Sequence, residues 1–237
     1  MTMKELALII PACNEASSIK QVVKGFSQLR HGDEAFIQEI VVVDNNSTDG
    51  TAEQAQEAGA TVVLEPRMGY GRACQRGLTY LNQRTSGPPE LVAFADGDAS
   101  SKPEDLLKIV APLASATADF TLGVRQQLSA AGALTLPQRF GNGLACWMIK
   151  KMYGVCYSDL GSLRAINWDL LMGMRMEDLT YGWSIEMQVK AAKQGLRIQE
   201  INVHNFPRTA GRSKVSGTLT GVIGAGYKII TTILRYR

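Results

Sequence analysis

Cysteine and histidine are sparse in this chain, and neither is clustered. Cys13, Cys74, Cys146 and Cys156 stand apart with no CxxC pair, and His31 and His204 are isolated. The pattern therefore offers neither a zinc ligand set nor a disulfide framework. An excess of one charge is also missing. Twenty-five Lys and Arg face 22 Asp and Glu, for a formal net charge of +3, too balanced to argue for nucleic acid even though basic residues thicken from Arg197 onward. The N-terminus lacks an apolar run of signal-peptide length, since Met1-Thr2-Met3-Lys4-Glu5 leads at once into a short strand-like stretch, which predicts a protein made and kept in the cytoplasm. What the chain does have is 237 residues, 45% of them hydrophobic, enough for one large α/β domain, alone or with an appended piece.

Apolar runs alternate with helical stripes. Leu6 to Ile10 predicts a buried strand ending at Pro11, and Ser17 or Ser18 a helix start, with Ile19, Val22, Val23 and Phe26 on one face. Ile40 to Val43 is a β-branched strand that stops at Asp44. The polar turn Asn45-Asn46-Ser47-Thr48-Asp49-Gly50-Thr51 follows, then a helix to Ala58 and a strand from Thr61 to Leu64. Gly69-Tyr70-Gly71 opens a helix through Leu81. This alternation predicts a mostly parallel sheet with right-handed crossovers. Leu91 to Ala95 then runs straight into Asp96-Gly97-Asp98. A buried strand that ends in two carboxylates places them at the sheet edge where α/β proteins bind ligands. Hard oxygens on a tight turn suit Mg²⁺ or Mn²⁺, whose open positions phosphate oxygens can fill. Asp and Gly also populate ordinary turns after strands.

Taken together, Ile9-Ile10-Pro11 with Asn14-Glu15, Val42-Val43-Asp44 with Ser47, Asp49, Gly50 and Thr51, Gly69 with Gly71, and Asp96-Gly97-Asp98 resemble, in that order, the inverting family 2 glycosyltransferases of GT-A fold. The likeness covers residues 5 to 215, and the later segments look most like the dolichyl-phosphate mannosyltransferases and their bacterial polyprenyl-phosphate relatives. It implies a GT-A, Rossmann-like domain over 1–215, a GDP- or UDP-sugar donor, a lipid-phosphate acceptor and no nucleic-acid partner. Within it, Pro11 and Glu15 line the nucleotide pocket and Asp44 accepts a hydrogen bond from the base, though Asp44 also suits an Asx turn or helix cap. Asp98 is the main metal ligand with Asp96 beside it. The pattern departs from its relatives at Gly97 and at Ser100, where they carry Ala and Gln, so the third metal contact stays open.

The resemblance continues past the carboxylates. Ser101-Lys102-Pro103-Glu104 predicts a helix start, with Glu104 and Asp105 matching the positive end of its dipole. Phe120 to Gly123 reads as a strand ended by Val124-Arg125, Ser129 to Leu136 as a mobile loop, and Gln138 to Met152 as a helix buried or in touch with lipid. Arg125 and Arg139 resemble arginines that face the acceptor phosphate, for which guanidinium forks are suited; both also suit a solvated surface. Asp159 reads equally as a sugar-pocket residue and a turn. Asp178, in Glu177-Asp178, and Glu186 resemble groups that serve hydroxyl acceptors as a general base, while Glu186 also suits the first turn of a helix. Arg208 with Gly211-Arg212-Ser213-Lys214 resembles the basic segment that closes over the diphosphate. The end of the chain, 216–237, predicts an amphipathic helix rather than a domain. Leu219, Val222, Ile223, Gly226, Ile230, Ile233 and Leu234 form its apolar stripe, and Lys228 and Arg235 lie on the polar face, a pattern that suits a membrane surface and not a span. Three alternatives remain open: a soluble glycosyltransferase with a small hydroxyl acceptor, a nucleotidyltransferase, and a non-catalytic nucleotide-binding module.

Overall fold

The computed structural model describes residues 4–130, 136–208 and 219–236. Strand β1 (Leu6–Ala12) is followed by helix α1 (Ile19–Ser27) and by a small ribbon of β2 (Arg30–His31) and β3 (Glu34–Ala35) that turns at Gly32-Asp33. Then come β4 (Glu39–Asp44), α2 (Thr51–Glu57), β5 (Thr61–Leu64), α3 (Tyr70–Asn82), β6 (Leu91–Phe94) and α4 (Asp105–Ala114). The second half contains β7 (Phe120–Ser129), α5 (Leu136–Tyr153), β8 (Arg164–Asn167), α6 (Trp168–Met174), α7 (Trp183–Lys193), β9 (Ile198–Asn205) and α8 (Leu219–Arg235).

Seven strands form one sheet in the order β5-β4-β1-β6-β8-β7-β9. All its pairings are parallel except those of β8, which runs antiparallel to both β6 and β7. Helical crossovers explain the parallel half, because parallel neighbours cannot be joined by a hairpin. The sheet is covered on both faces, which is why β1, β4 and β6 read as continuous apolar runs. Their side chains divide by a period of two. Ile9, Val41, Val43 and Phe94 enter one core with Trp183 and Met187, whereas Leu8, Ile10, Val42 and Ala93 enter the other with Phe26, Leu106 and Ile109. In α1 the predicted stripe Ile19, Val22, Val23 and Phe26 is the buried set.

Several boundaries differ from the sequence expectation. β7 does not stop at Arg125 but runs to Ser129, its register against β9 shifting between Val124 and Leu128. Residues 131–135 of the expected loop lie outside the described residues. α4 begins at Asp105, after a tight turn in which Leu106 N–H donates to Pro103 O. Asp105 does not face solvent at the helix start. It is buried, accepts from the His204 backbone N–H at 2.6 Å and lies 2.8 Å from Lys108 Nζ, and so ties α4 to β9.

The C-terminal helix forms as expected, with its buried face rotated. Thr232 and Ile233 are buried and Leu234 is half exposed. α8 packs on α5 and α7, with the Tyr153 hydroxyl donating to Ile233 O. Its cations turn toward the domain: Lys228 lies 2.9 Å from Asp178, and Arg235 lies 2.9 Å from Glu177. The basic face expected to meet lipid is thus paired with carboxylates of the same chain. Among the described residues, no helix is long and apolar enough to cross a membrane.

Candidate active site

The parallel strands β1, β4 and β6 end at one edge of the sheet, and the loops that follow them are laced together. Asn14 N–H donates to Ser47 Oγ at 2.9 Å, Glu15 N–H to Thr51 Oγ1 at 2.8 Å, and Thr48 N–H to Asn14 Oδ1 at 2.7 Å. Asn14 and Asn46 both adopt left-handed φ, 52° and 59°, a conformation asparagine tolerates better than most side chains. Ser18 does not cap α1 with its side chain. Its hydroxyl donates to Gly97 O at 2.8 Å, so the start of α1 holds the Asp96-Gly97-Asp98 turn. Gly97 is packed closely, since a Cβ there would lie 3.3 Å from Ile19 Cδ1.

Asp44 ends β4, is 7% exposed and accepts from Ser47 N–H at 3.2 Å. This Asx-type contact uses Oδ1. Pro11 pairs with Val43 in the neighbouring strand. Asn45, which the sequence offers only as part of a polar turn, joins three loops. Its amide donates to Glu65 O and Arg67 O at 3.0 and 2.8 Å and accepts from Gly69 N–H at 2.8 Å. That carries the β4 end to the start of α3. There Gly69 and Gly71 are required, because a Cβ on either would overlap the backbone carbonyl of Leu179 or Asp178. The Gly69-Tyr70-Gly71 segment and the Glu177-Asp178 segment are therefore in direct contact.

The metal candidates are close together and anionic. Asp98 Oδ1 accepts from Ser100 N–H at 3.0 Å and from Ser100 Oγ at 2.6 Å, so Ser100 orients Asp98. The return of the chain that allows this passes through Ala99 at φ 59°, an uncommon conformation for alanine that marks local strain. Burial, and then the charge of Asp98, push the Asp96 carboxyl above its usual range, with Ser162 hydrogen-bonded to it. Two mutually repelling carboxylates on one turn form a hard oxygen set that a divalent cation relieves. Among the described residues, no group of three His, Cys, Asp or Glu side chains is gathered to hold a metal. The pair thus fits Mg²⁺ or Mn²⁺ with its remaining positions left to phosphate or water, and does not fit a closed zinc site.

Cations surround this pair. Arg208 reaches in from beyond β9, with Nε 3.0 Å from Asp98 Oδ2 and Nη1 2.9 Å from Glu15 Oε1. Ser213 and Lys214 lie outside the described residues, as do Gly211 and Arg212. Arg125 is gripped by Asp159 through a two-pronged pair, Nε to Oδ2 and Nη2 to Oδ1, both at 2.8 Å. Asp159 is fully buried and also accepts from Asn142 Nδ2, Leu160 N–H and Arg125 N–H. Burial opposes its ionisation, but Arg125 and these donors hold its carboxyl below the ordinary range. Asp159 is a structural anchor that fixes Arg125, a role that spacing alone did not distinguish from a turn. Arg139 is exposed in the first turns of α5.

Glu186 and Asp178 are fully engaged. Glu186 is completely buried in the first turn of α7. Its oxygens accept from Glu177 N–H at 2.8 Å, Asp178 N–H at 2.6 Å and the Tyr236 hydroxyl at 2.8 Å, and Lys190 lies 2.7 Å away. Asp178 accepts from Thr180 N–H and Oγ1 and pairs with Lys228. Burial raises its pKa, but Lys228 and Thr180 outweigh that and leave the carboxyl below its usual range.

An open, mostly parallel sheet with a carboxylate pair at its carboxyl edge, a buried aspartate one strand away and an arginine reaching across defines an α/β transferase of GT-A architecture. The chain belongs to glycosyl transferase family 2, whose model matches residues 7–179. β9, Arg208 and α8 lie beyond that match. Among similar proteins, an uncharacterized glycosyltransferase of Mycobacterium tuberculosis is 34% identical over 220 residues, 92% of this chain and 93% of the relative. The undecaprenyl-phosphate mannosyltransferase of Micrococcus luteus is 30% identical over 233 residues, 90% of this chain and 88% of that protein. Among solved structures, glucosyl-3-phosphoglycerate synthase from Mycobacterium tuberculosis, in complex with Mn²⁺, UDP and glucosyl-3-phosphoglycerate, shares the fold with a TM-score of 0.75 at 22% identity, covering 98% of this chain and 80% of that one. The same enzyme is also solved with Mg²⁺ and UDP.

Proposed function

We propose that this glycosyltransferase moves a sugar, with inversion, from a GDP- or UDP-sugar to a polyprenyl phosphate at a membrane surface. Asp98 and Asp96 hold Mg²⁺ or Mn²⁺ in this reading. The observation that carries the choice of acceptor is the engagement of both candidate bases. A hydroxyl acceptor needs a carboxylate with a free lone pair and a pKa raised toward neutrality. Glu186 is buried under four partners, and Asp178 is ion-paired with its pKa lowered. A phosphate acceptor is already ionised and needs no base. The Micrococcus relative, named for an undecaprenyl-phosphate acceptor, supports the same reading.

In the proposed reaction Asp44 accepts from the base of the donor, and Pro11, Glu15 and Gly97 line the nucleotide pocket. The metal supplies Lewis-acid neutralisation of the leaving diphosphate. Arg208 and Lys214 of the segment that follows it add positive charge to that leaving group, and Ser213 adds a neutral hydrogen-bond donor. Arg125, its guanidinium fixed by Asp159, and Arg139 at the solvent edge of α5 orient the acceptor phosphate for attack from the opposite face. Phe140 and Trp147 of α5 and Tyr227 and Leu234 of α8 are exposed, at 75%, 57%, 71% and 50%, and supply apolar groups for peripheral contact with the bilayer.

The test offers UDP- and GDP-hexoses with Mn²⁺ to three acceptors: undecaprenyl phosphate in detergent, undecaprenol, and a panel of small hydroxyl acceptors. Transfer to the phosphate alone, abolished by Asp98→Asn or by chelator, is the expected result. Efficient transfer to a water-soluble hydroxyl would overturn it in favour of a soluble glycosyltransferase.

A further inference from the structure

Arg208 does more than stand near the carboxylate pair, because it uses an oxygen that a metal would need. Asp98 has two oxygens: Oδ1 is taken by Ser100 N–H and Oγ, and Oδ2 by Arg208 Nε at 3.0 Å. The same guanidinium spans to Glu15 at 2.9 Å, so one positive charge bridges two carboxylates. Its root is fixed. Phe206 N–H donates to Ser100 O at 2.8 Å, Asn205 bridges to Ser101, and the His204 backbone N–H donates to Asp105. These bonds staple the end of β9 to the residues that follow Asp98, leaving the long Arg208 side chain as the part that can swing.

A divalent cation set beside Asp98 would face a guanidinium within a few ångströms, and like charges at that range repel strongly in a partly buried site. The two cannot both sit on Oδ2. A diphosphate offers the displaced guanidinium paired anionic oxygens, the geometry for which arginine is suited. Metal alone therefore has to displace Arg208 from Asp98 with Glu15 as its remaining anionic partner, whereas metal with nucleotide also provides a diphosphate to receive it.

We infer that Arg208 and the divalent cation are alternative occupants of Asp98, so that metal and nucleoside diphosphate enter together by transfer of Arg208 from Asp98 and Glu15 to the diphosphate. The inference rests on the proposed metal role of Asp98 and adds a coupling between the two ligands, which must be reciprocal.

The experiment measures Mn²⁺ affinity by calorimetry and by the loss of free-ion EPR signal, without any sugar acceptor, in the presence and absence of UDP or GDP. Wild type, Arg208→Gln and Arg208→Lys are compared. The expected result is that Arg208→Gln binds Mn²⁺ alone more tightly than wild type, on the order of tenfold. The factor by which nucleotide tightens Mn²⁺ should shrink in the same variant, with Arg208→Lys between the two. Melting curves check that each variant is folded. Mn²⁺ affinity in Arg208→Gln that is equal to or weaker than wild type overturns the exchange while leaving the metal assignment standing. No Mn²⁺ binding by any of the three proteins, with or without nucleotide, overturns both.

Discussion

Lys228 of α8 lies 2.9 Å from the carboxylate of Asp178, a buried residue whose own carbonyl packs against Gly71 at the start of α3. The C-terminal helix is thereby tied to the segment that packs on the start of α3, an ion pair that Arg235 with Glu177 joins nearby. Replacing Lys228 with Met keeps the apolar stem but, among the described residues, leaves the Asp178 carboxylate to its hydrogen bonds from Thr180. Because Lys228 is 36% exposed, solvent screens part of the pair, and the expected cost is about 1 kcal/mol. For a chain of this size that is a fall in Tm of about 2–4 °C, read by calorimetry. An unchanged Tm would show that this ion pair does not help to hold α8.

Asp44 ends β4 at the ligand edge of the sheet, where its carboxylate accepts from the Ser47 backbone N–H. Asp44→Ala is expected to weaken free UDP or GDP binding even without metal, by about 1.5–3 kcal/mol for loss of a charged acceptor, or roughly tenfold to a hundredfold. Calorimetry at neutral pH measures this. Unchanged affinity with lowered stability would assign Asp44 to the Asx turn alone.

What the sequence discloses and what it conceals separate by range. Ile19, Val22, Val23 and Phe26 lie on one helical face whatever the rest of the chain does, and Asp96-Gly97-Asp98 follows its strand directly, so both are legible from local pattern. Asp159 is not: a carboxylate in a turn reads the same whether it faces water or grips Arg125. Glu186 is another case, because first-turn glutamates ordinarily face solvent and its burial depends on Tyr236, just after α8, and Lys190, from the next turn of α7. The surroundings of α8 are not legible for the same reason, since carboxylates elsewhere in the fold, Asp178 and Glu177, decide where Lys228 and Arg235 turn.

Gly71 tests the junction between the start of α3 and the Asp178 segment. A methyl group there would overlap the Asp178 carbonyl oxygen and come within 2.8 Å of the Leu179 carbonyl carbon, and these are backbone atoms that cannot rotate away. Gly71→Ala is expected to cost about 1–3 kcal/mol by overpacking and to weaken nucleotide binding by shifting the start of α3. Urea denaturation and nucleotide titration of the same sample would detect both. A variant with unchanged stability would mean that the two segments can separate freely.

Asp105 governs part of the response to acid. Burial raises its pKa, but Lys108 and His204 outweigh burial and hold the carboxyl below its ordinary value of 3.8. A carboxylate with a depressed folded pKa stabilises the fold above its unfolded pKa, and that stability is lost as pH falls through the folded value. Asp105→Asn should therefore be less stable than wild type at pH 7, by about 1–3 kcal/mol. The gap should narrow as pH drops below 4, measured by urea denaturation at several pH values. A gap independent of pH would locate the effect in packing instead of charge.

Membrane contact is tested on α5. Phe140 and Trp147 are seven residues apart on one helix, hence on one face, and both are exposed, with Lys150 and Lys151 exposed at the C-terminal end. Aromatic groups beside lysines suit an anionic interface. Wild type is expected to cosediment with phosphatidylglycerol-containing vesicles, less so as salt rises. Phe140→Ala with Trp147→Ala should reduce that binding by roughly tenfold or more, given about 1.5–3 kcal/mol for each large apolar side chain fully buried. Because neither residue belongs to the core, Tm should stay near wild type. Deleting α8 is the poorer test, since it would uncover the surface beneath Ile233 and strip Asp178 and Glu186 of partners, so that lost binding could reflect a damaged domain. If wild type ignores anionic vesicles at low salt, or the double variant binds them equally well, the exposed aromatics of α5 do not seat the enzyme on lipid and the acceptor must be sought in solution.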